Sequence, residues 1–105
     1  MKTFYVIEKV RGIADVSPSE DHDYFIINRI NVPSLYRGQG YGRQLLAQIL
    51  ADADAEHATL WLMPLGTTDP TGLTPWQLIA WYSRHGFILL ESGCMVRIPK
   101  KEEDK

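Results

Sequence analysis

The chain predicts an α/β (α+β) fold, a mixed central sheet of about six strands carrying two main helices, and three observations support it. Short apolar runs bounded by turn residues recur at 3–10, 13–16, 24–32, 58–65, 87–91 and 94–98, as strands do. Two amphipathic runs, at 43–53 and from Pro75 onward, follow the third and fourth of them at helical spacing. The resulting order is β-β-β-α-β-α-β-β.

Taken in turn, Thr3 to Val10 reads as a strand, Arg11-Gly12 as a turn and Ile13 to Val16 as a second strand, an N-terminal hairpin. Ser17 to Asp23 is a polar loop of turn residues. Tyr24 to Val32 is mostly apolar, which suits a central strand, and Pro33, lacking an amide donor, suits its exit. In the first helix Leu45, Leu46, Ile49, Leu50 and Ala53 form the stripe expected to be buried, with Asp52, Asp54 and Glu56 on the side expected to be wet. Ala58 to Leu65 is the next strand. Gly66 to Leu73 is a loop of ordinary turn chemistry that can shape a pocket rim.

The second helix has a clear start. Thr74 is a good N-cap, Pro75 fits the first helical position, and Gln77 completes a capping box. Leu78, Ile79 and Tyr82 share a face, and Gly86 is placed to end the helix in a left-handed conformation. Phe87 to Glu91, a Ser92-Gly93 turn and Cys94 to Ile98 then form a closing antiparallel hairpin. Residues 1–99 read as one domain and 100–105 as a charged, disordered tail.

At 105 residues the chain can bury about 60 to 70 percent of its unfolded surface, enough for one modest core. A formal charge of −2 gives no reason to expect broad nucleic-acid or membrane adhesion. No apolar stretch approaches a bilayer span, and the start lacks a signal-peptide core, so a cytoplasmic protein is expected. The single cysteine, Cys94, reads as structural, and His22, His57 and His85 are scattered without metal spacing, so no metal is expected.

The most informative stretch is Arg37-Gly38-Gln39-Gly40-Tyr41-Gly42, which joins the third strand to the first helix. Such a turn presents free backbone N–H groups and a helix N-terminus to an anion, and its glycines let ligand oxygens approach the amides. Position 43 is arginine with no Lys-Ser or Lys-Thr after it, so the turn is no P-loop, and its glycine spacing fails the dinucleotide fingerprint. It fits Arg-x-x-Gly-x-Gly, the acyl-CoA pyrophosphate signature of the GNAT N-acetyltransferases. The block Trp81-Tyr82-Ser83-Arg84-His85-Gly86-Phe87 matches a second motif of that superfamily, aromatic-Tyr-x-x-x-Gly-Phe. The chain therefore resembles a short GNAT N-acetyltransferase.

That resemblance implies a truncated GNAT fold, without the first strand and the pair of helices that help wall the acceptor site in longer members. The acceptor side would then be open, or completed by a second copy of the chain or by a macromolecular substrate. It implies acetyl-CoA as co-substrate, with its pyrophosphate on Arg37, Gly38, Gln39, Gly40, Tyr41, Gly42 and Arg43, and its pantetheine against the main chain of Ile30, Asn31 and Val32. Tyr82 would protonate the departing thiolate. Arg84 is a further residue considered near the cofactor; Trp76 and Trp81 are left outside the site.

The implied reaction is direct attack by a primary amine, of a protein lysine or a small molecule, in a ternary complex. A lysine-like amine must first lose a proton at a cost of about 4 to 5 kcal/mol at pH 7. Glu8, His22, Asp23 and Glu91 stand as unranked candidates for the base, with a water relay equally admissible. The alternative reading is a non-catalytic acyl-CoA sensor or an interaction module with the same fold. Very short members with the Leu-Thr-x-x-x-Leu-Ile-x-Trp/Phe-Tyr pattern, here Leu73 to Tyr82, resemble products of phages and other mobile elements. A homodimer is also expected, because the domain is small and lacks part of the usual fold.

Overall fold

The computed structural model describes residues 1–65 and 73–100. Most of the Gly66 to Leu73 loop, and residues 101–105 of the charged tail, lie outside them. Strands β1 (Phe4–Ile7), β2 (Gly12–Pro18), β3 (Phe25–Asn31), β4 (Leu60–Leu62), β5 (Ile88–Leu89) and β6 (Met95–Arg97) form one sheet in the order β1-β2-β3-β4-β6-β5. Helix α1 (Tyr41–Ala55) links β3 to β4, and α2 (Pro75–Ser83) precedes β5. All neighbours pair antiparallel except β3 and β4, which run parallel as a crossover through a helix requires. This is the mixed sheet with two helices that the residue pattern predicts.

Alternation along the strands separates two faces. Tyr5, Ala14, Val16, Ile27, Leu60, Leu62 and Met95 are buried, and they join Leu45, Leu46, Ile49 and Ala53 of α1 and Tyr82 of α2 in one core. The cross-strand register puts the intervening residues on the opposite face: Val6 beside Ile13, Ile13 beside Asn31, Asp15 beside Arg29, Ile26 beside Trp61, and Trp61 beside Val96. Among the described residues no helix covers that face. Phe4 is 58% exposed and Val6 48%. The protein thus has two layers, one of sheet and one of helices.

Several boundaries differ from those read in the sequence. The first strand stops at Ile7, and Glu8–Val10 forms a 3-10 turn closed by Arg11 in a left-handed conformation, φ 54°. β2 opens at Gly12, which the sequence placed in the turn, and Gly12 pairs with Ile7. β2 runs on to Pro18, which pairs with Phe25, and the loop is organised by buried Ser19, whose Oγ accepts from the Tyr24 N–H. β4 is shorter than expected, since Pro64 has no amide to continue a ladder. β5 starts late because the Phe87 N–H is spent on the Tyr82 carbonyl at the end of α2.

The wet side of α1 also needs correction. Asp52 accepts from the Tyr5 hydroxyl at 2.7 Å, and Asp54 accepts two bonds from Arg97, so both carboxylates tie the helix to the sheet. Helical spacing places an aspartate on a face; it does not reveal a partner forty residues away.

Candidate active site

A single extra residue opens the sheet. Asp15 and Val16 are adjacent on β2 yet pair with Arg29 and Ile27, leaving Asn28 as a bulge on β3. A bulge bends its strand and increases the local twist. β3 and β4 accordingly pair only at Phe25–Leu60 and Ile26–Trp61, and beyond those pairs β3 continues to Asn31 with no strand of the described residues on that side. The result is a fork whose open edge carries the main chain of Ile30 and Asn31.

A cleft of about 510 Å³ occupies the fork. Its walls come from Ile30, Asn31 and Val32 at the end of β3, from Arg37, Gly38 and Gly40 in the following turn, and from Tyr41 and Gly42 in the first turn of α1. Leu78, Trp81 and Tyr82 of α2 close the other side, with Tyr36, Leu65 and Leu73 at the margins. Nine of the eleven residues singled out in the sequence line this one space: Ile30, Asn31, Val32, Arg37, Gly38, Gly40, Tyr41, Gly42 and Tyr82. Gln39 and Arg43 are exposed beside it, and the Arg43 Nη2 lies 3.6 Å from where a Cβ on Gly40 would stand.

The two helix starts differ in a way that matters for anion binding. α2 satisfies its own first amides: the Gln77 N–H donates to the Thr74 Oγ1 at 3.2 Å, and the Gln77 Oε1 accepts from the Thr74 N–H at 2.9 Å. α1 has no such box. Its cap is Gly40, in a left-handed conformation at φ 86°, with no side-chain bond and no acidic residue in the first turn. The first helical bond, from the Gln44 N–H to the Gly40 carbonyl at 3.0 Å, leaves the amides of Tyr41, Gly42 and Arg43 ahead of it. Gly40, Tyr41 and Gly42 of this start line the cleft, so the positive end of the helix dipole lies at its wall.

Arg37 is built into the turn. Its Nε donates to the Val32 carbonyl at 2.9 Å, pinning the turn to the strand end and occupying one of the acceptors the resemblance assigned to pantetheine. Gly38, at φ 80°, has open space where a Cβ would stand, so its backbone conformation, not crowding, calls for glycine.

Tyr82 is 6% exposed and packs edge-to-face against Trp81, ring centroids 4.9 Å apart, and against Phe87 at 5.2 Å. No hydrogen-bond partner for its hydroxyl occurs among the described residues, and no fully buried side-chain polar atom there lacks one, so the hydroxyl keeps contact with the cleft. Burial pushes its pKa up to about 12. The group therefore holds its proton at neutral pH and can donate it.

From the fork a smaller hollow of about 140 Å³ continues along Asn28, Arg29, Met63 and Pro64, sharing Ile30, Leu65, Leu78 and Tyr82 with the main cleft. Tyr82 thus borders both spaces. Glu8, His22, Asp23 and Glu91 line neither. Arg84 is exposed at the end of α2 and lines neither as well. Among the described residues, no group of three histidine, cysteine or acidic side chains is placed to hold a metal.

Trp81 lines the cleft although it was left outside the expected site, as were Tyr36, Leu65, Leu73 and Leu78. Its indole lies 3.9 Å from where a Cβ on Gly42 would stand, and it meets the His85 ring at 5.3 Å. The signal for it was its place in the aromatic-Tyr block; Trp76, on the same helix, is 77% exposed and outside the cleft. Burial lowers the pKa of His85, and Arg84, Arg43 and Arg97 push it the same way.

Residues 1–89 match the family model for the acetyltransferase (GNAT) domain. No curated protein matches by sequence. Among solved structures, the chain is similar to the anti-CRISPR protein AcrVA5, with a TM-score of 0.66 and 21% identity over 81% of this chain and 87% of that one. The ribosomal-protein-S18-alanine N-acetyltransferase from Escherichia coli gives a TM-score of 0.66 and 19% identity over 100% of this chain and 76% of that one. The GNAT family N-acetyltransferase YhbS from Escherichia coli, solved in complex with CoA, gives 0.59 and 23% over 89% and 55%. With a family model covering most of its length and a fold shared with these proteins, this chain belongs to the GNAT acetyltransferases.

Proposed function

We propose that the chain is an acetyl-CoA-dependent N-acetyltransferase that moves the acetyl group to a primary amine, of a protein or a small molecule, by direct attack in a ternary complex. The observation that carries this reading is the uncapped glycine start of α1, opening onto the same cleft as the Tyr82 hydroxyl.

The amides of Tyr41, Gly42 and Arg43, with Gly38 and Gly40 leaving room for oxygens, hold the pyrophosphate, and Arg43 adds positive charge from outside. The pantetheine lies along the open edge of Ile30 and Asn31, bringing the thioester to the fork. The amine arrives through the hollow beside Asn28 and Arg29. Since neither cleft is lined by a carboxylate or histidine among the described residues, the amine loses its proton to water before attack. The nitrogen lone pair then forms the C–N bond, the positively charged nitrogen of the adduct gives a further proton to water, and the C–S bond breaks as the carbonyl reforms. Tyr82 gives its proton to the departing thiolate, recovering it from solvent after products leave.

Calorimetric titration with acetyl-CoA, followed by thiol release with an added amine, tests the reading. Binding with amine-dependent release of CoA supports it. Absence of binding overturns it, and binding without release at any amine reduces the protein to a sensor.

A further inference from the structure

The small hollow that Tyr82 shares with the main cleft has two unlike ends. Ile27, Leu62 and Pro64 are buried and, with the Tyr82 ring, make an apolar floor, whereas Asn28, Arg29 and Met63 are exposed and make a mouth open to water. Arg29 is the one charged side chain among the described residues that line the hollow, and its Nε is engaged by the Asp15 carboxylate at 2.7 Å.

The two ends suit different partners of one reaction. An amine arrives as an ammonium that must hand its proton to water, and an apolar floor penalises that charge, so the mouth is its side. Tyr82 borders both spaces, so a thioester whose sulfur meets its hydroxyl from the main cleft carries its acyl carbons into the hollow. Volume agrees with this division. A methyl or methylene group takes up roughly the 30 Å³ of a water molecule, so a hollow of about 140 Å³ holds about four such groups. The two carbons of an acetyl group leave about half of it to the nitrogen and first carbon of the amine, while the four of a butyryl group fill it.

We infer that the floor of the hollow, bounded by Ile27 and Leu62 from the sheet and by half-buried Leu78 from α2, is an acyl subsite that accepts chains of up to four carbons. This rests on the acetyltransferase reading, which brings the thioester to the fork.

Calorimetric titration with CoA, acetyl-CoA, butyryl-CoA and hexanoyl-CoA tests the inference without an acceptor. Each carbon buried on the floor is worth about fourfold in affinity, so butyryl-CoA is expected to bind the unaltered chain about 10- to 20-fold more tightly than acetyl-CoA. Hexanoyl-CoA is expected within about twofold of butyryl-CoA, because its last carbons extend past the mouth into water. Leu78→Phe fills the hollow and is expected to cut the butyryl advantage to about threefold or less. Ile27→Val enlarges the floor by one methyl group and is expected to give hexanoyl-CoA a further advantage of about threefold. Equal affinities for acetyl-, butyryl- and hexanoyl-CoA overturn the inference, as does a gain that continues through hexanoyl-CoA in the unaltered chain, or a limit that neither variant moves. In each of those results CoA itself still binds, and the acetyltransferase reading stands. Failure of the whole series to bind, CoA included, sinks that reading and the subsite with it.

Discussion

Arg97 grips Asp54 with both ends of its guanidinium, Nη1 to Oδ1 at 2.8 Å and Nη2 to Oδ2 at 3.0 Å, while its Nε donates to the His85 carbonyl at 3.2 Å. The arginine is 4% exposed on β6, so one side chain joins the end of α1, the turn that follows α2 and the sheet. Removing the carboxylate strands a buried positive charge. Asp54→Ala is expected to cost about 2 to 4 kcal/mol, less than a fully buried pair because Asp54 is partly exposed, and to lower Tm by about 10 °C or more in thermal unfolding.

The same pair predicts acid sensitivity. Hydrogen bonds from Arg97 hold the Asp54 carboxyl below its usual range, with burial opposing and the Lys100 N–H assisting. The folded state therefore binds this proton less readily than the unfolded chain. The stabilisation is whole above the unfolded value near 3.8 and drains away as pH falls below it. Denaturant midpoints measured at pH 5 and pH 3 are expected to differ in the native chain and to converge in Asp54→Asn.

At the alkaline end the sign reverses. Burial raises the Tyr82 pKa to about 12, and burial together with the Asp52 hydrogen bond raises that of Tyr5. Folding therefore retains both phenolic protons. Their contribution is complete below about pH 10, the unfolded value, and lost as pH climbs through the folded ones. Tm is expected to fall between pH 10 and 12, less steeply in Tyr82→Phe.

Gly40→Asp combines a left-handed backbone, costly for any L side chain, with a carboxylate over the amides assigned to phosphate. Calorimetry is expected to show acetyl-CoA affinity reduced by about a hundredfold or more, with stability down by only about 1 to 2 kcal/mol. Gly40→Ala, with no added charge, should lose less affinity for a similar drop in stability.

Tyr82→Phe leaves the ring packing against Trp81 and Phe87 intact and removes a hydroxyl that has no partner among the described residues. Its Tm at neutral pH and its acetyl-CoA affinity should stay close to native while turnover drops about 10- to 100-fold. Unchanged turnover would remove the tyrosine from the chemistry.

How legible all this was in the sequence depends on how local each cause is. The capping box at Thr74, the left-handed Gly86 at φ 92° and the buried stripe of α1 come from neighbours within a few residues, and all were readable in advance. The glycine turn and the Trp81-Tyr82 block were readable because the motifs specify their own surroundings. What escaped were long-range pairings. The ties of Asp52 to Tyr5 and of Asp54 to Arg97, and the role of Trp81 as a wall, depend on how distant segments meet. The bulge at Asn28 escaped for the same reason, because a bulge is a property of two strands in register and not of either alone.

That bulge makes the count of residues in β3 more consequential than their identity. Deleting Asn28 would bring Ile27 and Arg29 into step with Val16 and Asp15, let β3 straighten toward β4, and close the gap in which the thioester is to lie. A side-chain replacement at the same, exposed position leaves the backbone detour in place, so residue 28 should tolerate many substitutions but not its own deletion.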